Sequence, residues 1–260
     1  MTKTAVITGG SSGIGLAAVR FFASKGYKVF ELSRSGVGEN KITHVHADVS
    51  DEESVIRAFV KIALETDRID VLINNAGYGI SGAVEHTELA HAKRQFDVNF
   101  FGLAAVTKAA LPFVKKCGGV IVNVSSVAGA LSIPFQAYYS ASKAAINSLT
   151  AALANELRPF SVRVTALMPG DISTGFTDKR VKLTAEGYEN RLDRSVTAME
   201  KDEKNGGSPD FIARRIFALS QKRRPKPIYT AGAKYKLFVF LNKILPARLV
   251  NKILGALYAK

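Results

Sequence analysis

The chain has 260 residues, 47% of them apolar, so it can bury a sizeable core and is not a disordered chain. A single cysteine, Cys117, excludes an intrachain disulfide and fits a reducing, cytoplasmic setting. The net charge of +14 calls for something anionic nearby, and no apolar run approaches the ~20 residues of a membrane span.

Thr4 to Thr8 reads as a strand. It is followed by Gly9-Gly10-Ser11-Ser12-Gly13-Ile14-Gly15 and a helical pattern, LAAVRFFASKG, and no leader peptide is expected from this pattern. A strand, a glycine-rich turn and a helix start form a cradle for phosphate, because backbone amides and the positive helix end face the anion. Gly9 permits the tight turn, Gly13 lets backbone approach a pyrophosphate, and Gly15 lets the helix pack closely on the sheet. Ser11, Ser12 and Ile14 belong to the same cofactor-binding loop.

The second strand, Tyr27 to Leu32, ends at Ser33-Arg34. An acid at this point holds a ribose 2′-hydroxyl and marks NAD, whereas a basic residue holds a 2′-phosphate and marks NADP. Ser33 stands where the acid is expected and Arg34 follows, so NADP(H) is preferred, with NAD(H) as the alternative. Glu31 would serve as the ribose acid if the strand ended earlier, and is otherwise an exposed strand residue.

A third strand, Ile42 to Val49, delivers Asp48 and Val49. Asp48 is placed to contact an adenine amino group or to cap the next helix, which a Ser50/Glu53 capping box starts. Ile69 to Ile73 is a fourth strand and runs into Asn74-Asn75-Ala76-Gly77, whose amides can link neighbouring strands and border a cofactor. A helix from about Leu89 to Lys115 carries Asn99 in its middle, where Asn has no propensity advantage. A buried Asn needs partners; a water-mediated proton path is one use and a plain polar contact is the other.

Gly118 to Val122 reads as a buried strand, followed by NVSSVAGALSIPFQAYYSASK from Asn123 to Lys143 and a helix after Ser140. Tyr139 and Lys143 are four apart and share a helix face, while Tyr138 meets only Ser142 at that spacing. A nearby ammonium favours the phenolate, so the pair suits proton donation to a carbonyl oxygen and its reversal. A strand from Val162 to Leu167 then leads into Pro169-Gly170-Asp171-Ile172-Ser173-Thr174.

In their order and spacing these motifs resemble the short-chain dehydrogenase/reductase family over roughly the first 220 residues. The matching residues are Thr8-Gly9-x-x-x-Gly13-Ile14-Gly15, Asp48, Asn74-Asn75-Ala76-Gly77, Asn99, Ser126, Tyr139-x-x-x-Lys143 and Pro169-Gly170 with Thr174. The resemblance implies an α/β, Rossmann-like doubly wound parallel sheet of about seven strands flanked by helices, in a single domain over residues 1–260. It implies Tyr139 as general acid/base and Ser126, rather than Ser125, as the residue that orients the substrate oxygen. Lys143 would hold the nicotinamide ribose and lower the tyrosine pKa, and Asn99 would hold a water in the proton relay. Ile172 would hold the nicotinamide amide through its backbone, with Thr174 near the phosphates. Asp171 departs from the small or apolar residue common in the family, and puts a carboxylate near the cofactor or in solvent.

Residues 175–207 lie where the family closes over substrate, with one or two lid helices expected between Val181 and Met199. Ser208-Pro209 reads as N-cap and first helical residue of a helix to about Gln221. From Phe211 to the end there are twelve Lys/Arg and no Asp/Glu. Residues 230–260 read as an extension of two amphipathic helices broken at Pro246. Such an extension covers the core or a subunit interface, or rests on an anionic membrane. No DNA-binding motif accompanies the charge, so nucleic acid is not expected, and no His/Cys spacing suggests a metal.

The expected activity is interconversion of a secondary alcohol and a ketone on an apolar body: a steroid, bile acid, retinoid or lipid. An acylated dihydroxyacetone phosphate is the alternative substrate, and a non-catalytic dinucleotide sensor is the alternative class. A homodimer or homotetramer is expected from the resemblance, with the protein cytoplasmic or peripheral to a membrane.

Overall fold

The computed structural model describes residues 2–36, 38–39, 41–176, 180–183 and 186–259. β1 (Thr4–Thr8) leads into α1 (Gly13–Ser24), and β2 (Lys28–Ser33) and β3 (Ile42–His46) follow. After α2 (Glu52–Ala63) come β4 (Val71–Asn74), a short β5 (Ile80–Ser81) and α3 (Leu89–Phe96). A π-turn, Asp97–Phe101, joins α3 to α4 (Gly102–Cys117). The chain continues through β6 (Val120–Val124), α5 (Ala137–Glu156), β7 (Arg163–Met168) and β8 (Val181–Lys182). It ends with α6 (Glu189–Lys204), α7 (Pro209–Ser220), β9 (Ile228–Thr230), α8 (Ala233–Ile244) and α9 (Ala247–Tyr258).

Seven strands form one parallel sheet in the order β3-β2-β1-β4-β6-β7-β9. Helices cover both faces, so the central strands are buried on both sides and read as continuous apolar runs. One core layer packs Phe22, Val29, Val122 and Ile216 between the sheet and α1/α7, and the other packs Phe30, Phe59, Val106 and Ile121 beneath α2/α4. The strand order reverses between β1 and β4, and the crevice at their carboxyl ends is where an open α/β sheet places its ligand. Asn74 and Asn123 brace that end. Asn74 Nδ2 donates to Asn123 Oδ1 and Thr107 Oγ1, and Asn123 Nδ2 to Thr150 Oγ1, each at 2.9 Å.

Several boundaries move from their sequence expectation. β3 stops at His46, because Asp48 Oδ1 accepts from both the amide (3.0 Å) and the hydroxyl (2.5 Å) of Ser50 and turns the chain. That leaves Ser50 unable to cap α2, and Asp51 does so by accepting from Glu53 N at 3.1 Å. The expected capping box is therefore replaced by an aspartate cap one residue on. α5 begins at Ala137, so Tyr139 lies within its first turn. In the lid, Val181 and Lys182 pair as a strand with Ile80 and Ser81, and one helix, α6, follows. Lid positions 177–179 and 184–185 lie outside the described residues, as does the last residue of the tail, 260. β9 was not expected as a strand: only Ile228, Tyr229 and Thr230 form it, after a proline-containing loop.

No uninterrupted apolar run in the sequence reaches the length of a membrane span, but residues Leu89–Cys117 make one 29-residue helical run that by length and average composition could cross a membrane. Here it serves as a core helix. Leu103, Val106, Ala110 and Val114 are buried, and Pro112 is accommodated within the run.

Candidate active site

The glycine loop is held from below by its neighbours. Gly9 has φ +66°, and its amide donates to Leu32 O at 2.7 Å. Asn75 Nδ2 donates to Thr8 O (3.0 Å) and Gly9 O (3.2 Å), and the amides of Asn75 and Ala76 donate to Thr8 Oγ1 at 3.0 Å. Gly15 passes so close that a Cβ there would lie 2.1 Å from Gly9 O. The need for glycine at 15 is thus approach to the loop itself, at the point where α1 meets the sheet.

Above the loop opens a cavity of about 580 Å³. Gly9, Ser11, Ser12, Gly13 and Ile14 border it at one end, with Ser33, Arg34, Asp48 and Val49 beside them. Asn75, Ala76 and Gly77 line its middle, and Ser126, Tyr139, Lys143, Pro169, Gly170, Ile172 and Thr174 line the other end. The cavity therefore gathers every expected cofactor residue. Asn99 is fully buried and does not border it. Glu31 is also outside it. β2 runs on to Ser33, so Glu31 is 3% exposed rather than a surface residue, and its carboxylate meets His44 Nδ1 at 2.6 Å. It is not placed to hold a ribose in this cavity. Against desolvation, which raises it, the Asp48 carboxyl is held below the usual range by its hydrogen bonds from Ser50 and, to a smaller extent, by the charges of Arg94 at 3.3 Å and of Arg34.

The two serines separate in the fold. Ser125 is buried and its hydroxyl donates to the carbonyl of Lys143 at 3.1 Å. Ser126 caps a single helical turn, accepting from Ala128 N at 3.1 Å, and hydrogen-bonds the Tyr139 hydroxyl. Lys143 Nζ donates to Val124 O at 3.0 Å and lies 5.7 Å from the centroid of the Tyr139 ring.

Burial pushes the Tyr139 phenol up to about 12, against the lowering effect of Ser126 and of the Arg180 charge. Burial also pushes Lys143 down, to about 8. The expectation of a phenol acidified by its lysine is corrected here. Desolvation outweighs charge, and Arg180, not Lys143, is the cation acting on the hydroxyl.

Asn99 sits in the π-turn. Its Oδ1 accepts from Tyr78 N (3.0 Å), and its Nδ2 donates to Tyr78 O (3.0 Å) and Ser142 Oγ (3.1 Å). The side chain is engaged by protein partners and joins the Gly77-Tyr78 loop to α5 beside Lys143.

The substrate side was not legible from motifs. The Phe176 ring packs against Tyr139 with centroids 5.9 Å apart and planes tilted by 54°, and Ile133, Met199 and Tyr258 complete an apolar wall. Arg180, with its side chain 1% exposed, pairs with Glu203, which lines the cavity. Asp171 does not face solvent: the Tyr235 hydroxyl from α8 donates to its Oδ2 at 2.5 Å. Burial raises the Asp171 pKa, and the charges of Asp202 and Glu203 raise it further.

The short chain dehydrogenase family model matches residues 3–184, and the chain belongs to that family. It is an oxidoreductase that uses a nicotinamide dinucleotide. Among its relatives, a 3-ketodihydrosphingosine reductase of Bacteroides thetaiotaomicron is 37% identical over 262 residues, covering 98% of this chain and 97% of that one. A short-chain dehydrogenase from Streptomyces avermitilis superposes with a TM-score of 0.82 at 26% identity, covering 98% and 96% of the two chains. ElxO with NADP bound superposes at 0.76 and 27% identity, covering 91% and 100%.

Proposed function

We propose that this enzyme is an NADPH-dependent reductase of a ketone carried by a long-chain lipid, with an amine near the ketone. The observation that carries the catalytic part is the Ser126-Tyr139-Lys143 constellation at one end of a cavity whose other end is the glycine loop. The bound nicotinamide supplies the hydride. Ser126 and Tyr139 hold the substrate oxygen by hydrogen bonds, and Tyr139 gives it a proton. Lys143 holds the ribose and the adjacent backbone, and Asn99 acts as a positioning residue through Tyr78 and Ser142.

The residues present fit a dinucleotide. Gly13 has φ +54° at the N-terminus of α1, and a Cβ on Gly9 would come within 2.9 Å of Ala76 Cα, so backbone alone forms the phosphate cradle. Arg34, on the cavity wall just after β2, supports the preference for NADP(H). Arg34→Asp is expected to lower kcat/KM with NADPH at least about 30-fold, a loss of about 2 kcal/mol of charge-assisted contact, with little loss for NADH. Equal loss with both cofactors would refute the assignment.

For the substrate, the apolar wall suits an acyl or alkyl chain, and the similarity to a 3-ketodihydrosphingosine reductase supports a keto lipid. Asp171 and Glu203 line the cavity and Asp202 adds its charge nearby. The wall carries three carboxyl groups, of which Arg180 pairs with Glu203, and it favours an ammonium and disfavours an acylated dihydroxyacetone phosphate. The test is a panel of three ketones of equal chain length: an amino ketone, its N-acylated form and a phosphate ester. The amino ketone should have the highest kcat/KM; a preference for the phosphate would discard this substrate reading. By membership of the family we also infer a single catalytic domain and assembly into a homodimer or homotetramer.

The pH dependence follows from the two shifted groups. With Tyr139 at about 12, the phenol keeps its proton across the working range. With Lys143 at about 8, its charge is present below that pH and lost above it. Ketone reduction, measured as kcat/KM, should be flat on the acid side and fall as pH rises through about 8. Alcohol oxidation needs phenolate and should gain with pH until Lys143 is lost. A reduction rate that climbs through pH 8 would contradict both assignments.

A further inference from the structure

The two terminal helices are polarised. Inward, Val239 and Leu254 are buried, Tyr235 holds Asp171, and Asn242 Nδ2 donates to Ala130 O at 3.0 Å. Arg191 of α6 clamps the Ala259 carbonyl through Nε (3.0 Å) and Nη2 (2.8 Å), and Tyr258 lines the substrate cavity. α9 is therefore part of the cavity wall. Outward, Leu237, Phe240 and Ile244 on α8 are 54%, 57% and 59% exposed, and Leu249, Ile253 and Leu257 on α9 are 43%, 45% and 58% exposed. The three on α9 follow a spacing of four and form one stripe. Lys234, Lys236, Lys243, Arg248 and Lys252, all exposed, flank them, and no acid occurs from Phe211 onward.

We propose that α8 and α9 seat the enzyme on an anionic lipid bilayer, and that a keto lipid passes from that bilayer under α9 to Tyr139 without crossing bulk water. The inference rests on the reading of the substrate as a lipid ketone and deepens it. Charge selects the occupant. A bilayer with anionic headgroups complements the lysines while its acyl region takes the leucine and phenylalanine side chains. A second copy meeting this face about a two-fold axis would oppose basic helix to basic helix, with no carboxylate on either. The charge also divides by side. Carboxylates face the cavity, and the basic residues of the tail face out.

The experiment is co-sedimentation of the full-length protein with phosphatidylcholine vesicles, with and without phosphatidylglycerol, at low and high salt. Binding is expected with phosphatidylglycerol only, and weaker at high salt. Each surface lysine contributes about fivefold to such binding, so the quadruple variant K234Q/K236Q/K243Q/K252Q should lose at least about 100-fold. The variant L249E/I253E/L257E should lose vesicle binding and raise KM for a long-chain ketone presented in vesicles. Its NADPH affinity and its turnover of a short, water-soluble β-keto ester should stay at the wild-type level, which also shows that it folds. Absence of binding to phosphatidylglycerol vesicles overturns the proposal, as does binding that both variants retain. A dimer in light scattering that L249E/I253E/L257E dissociates, without vesicle binding, overturns it in favour of a second copy. Vesicle binding is read without turnover, so failure of the proposed catalysis on every ketone is seen separately.

Discussion

Tyr139→Phe is expected to lower kcat for ketone reduction by about 10²–10⁴-fold, the range of a lost general acid, while NADPH binds as before. The ring stays in place against Phe176 and only the hydroxyl is removed, so packing changes little. Among the described residues, the two polar groups nearest the hydroxyl are poor substitutes for it as a proton donor. Ser126 Oγ already accepts from Ala128 N and is far too weak an acid, and Lys143 Nζ is engaged with Val124 O. Burial that raises the phenol to about 12 keeps the proton available for reduction and makes the reverse reaction the more pH-sensitive direction. The measurement is single-turnover reduction with NADPH in excess, alongside fluorescence titration of the cofactor. Near-wild-type turnover in the variant would remove Tyr139 from the chemistry, and loss of NADPH binding would mean that the hydroxyl serves the cofactor.

The cofactor half of the cavity was legible in the sequence because its parts are local. A strand, a turn and a helix start within Thr4–Ser24 need only chain-neighbour chemistry to be recognised. Tyr139 could be told from Tyr138 for the same reason, since the lysine lies one turn away along the same helix. Ser125 and Ser126 could be told apart only by resemblance, because what separates them is the approach of Lys143 O and of the Tyr139 hydroxyl from α5. The substrate half was not legible. Tyr235 reaches Asp171 across 64 residues, and Arg180 reaches Glu203 across 23, with no periodicity linking either pair. The tyrosine pKa moves opposite to the sequence expectation for a related reason. Sequence shows the nearby cation but not the burial, and at this site burial is the larger effect. In the tail, the period of the apolar residues gave both helices and their break at Pro246, yet not the contact of Tyr258 with the cavity.

Gly15→Ala should be the most damaging exchange of a single hydrogen for a methyl group in the chain's cofactor half. The new Cβ would lie 2.1 Å from Gly9 O and 2.5 Å from Asn75 Nδ2. Neither neighbour can yield cheaply. Gly9 is fixed by its bond to Leu32 O at 2.7 Å and by contact with Ala76, and Asn75 holds Thr8 O and Gly9 O together. The methyl group must therefore push α1 off the sheet or break the Asn75 bonds, at a cost of about 2–4 kcal/mol from overpacking and an unpaired amide. Either movement carries the N-terminus of α1 away from the phosphate position, so NADPH affinity should fall by at least about 30-fold. Gly255→Ala is the matched control. Its Cβ would meet nothing within 4 Å and it lies inside α9, so the same methyl should stabilise by about 0.5–1 kcal/mol and leave NADPH binding unchanged. Thermal unfolding of the two variants with a parallel NADPH titration separates the effects. If Gly15→Ala bound NADPH with wild-type affinity, the glycine loop would have room that these distances deny it, and the dinucleotide would have to be held elsewhere.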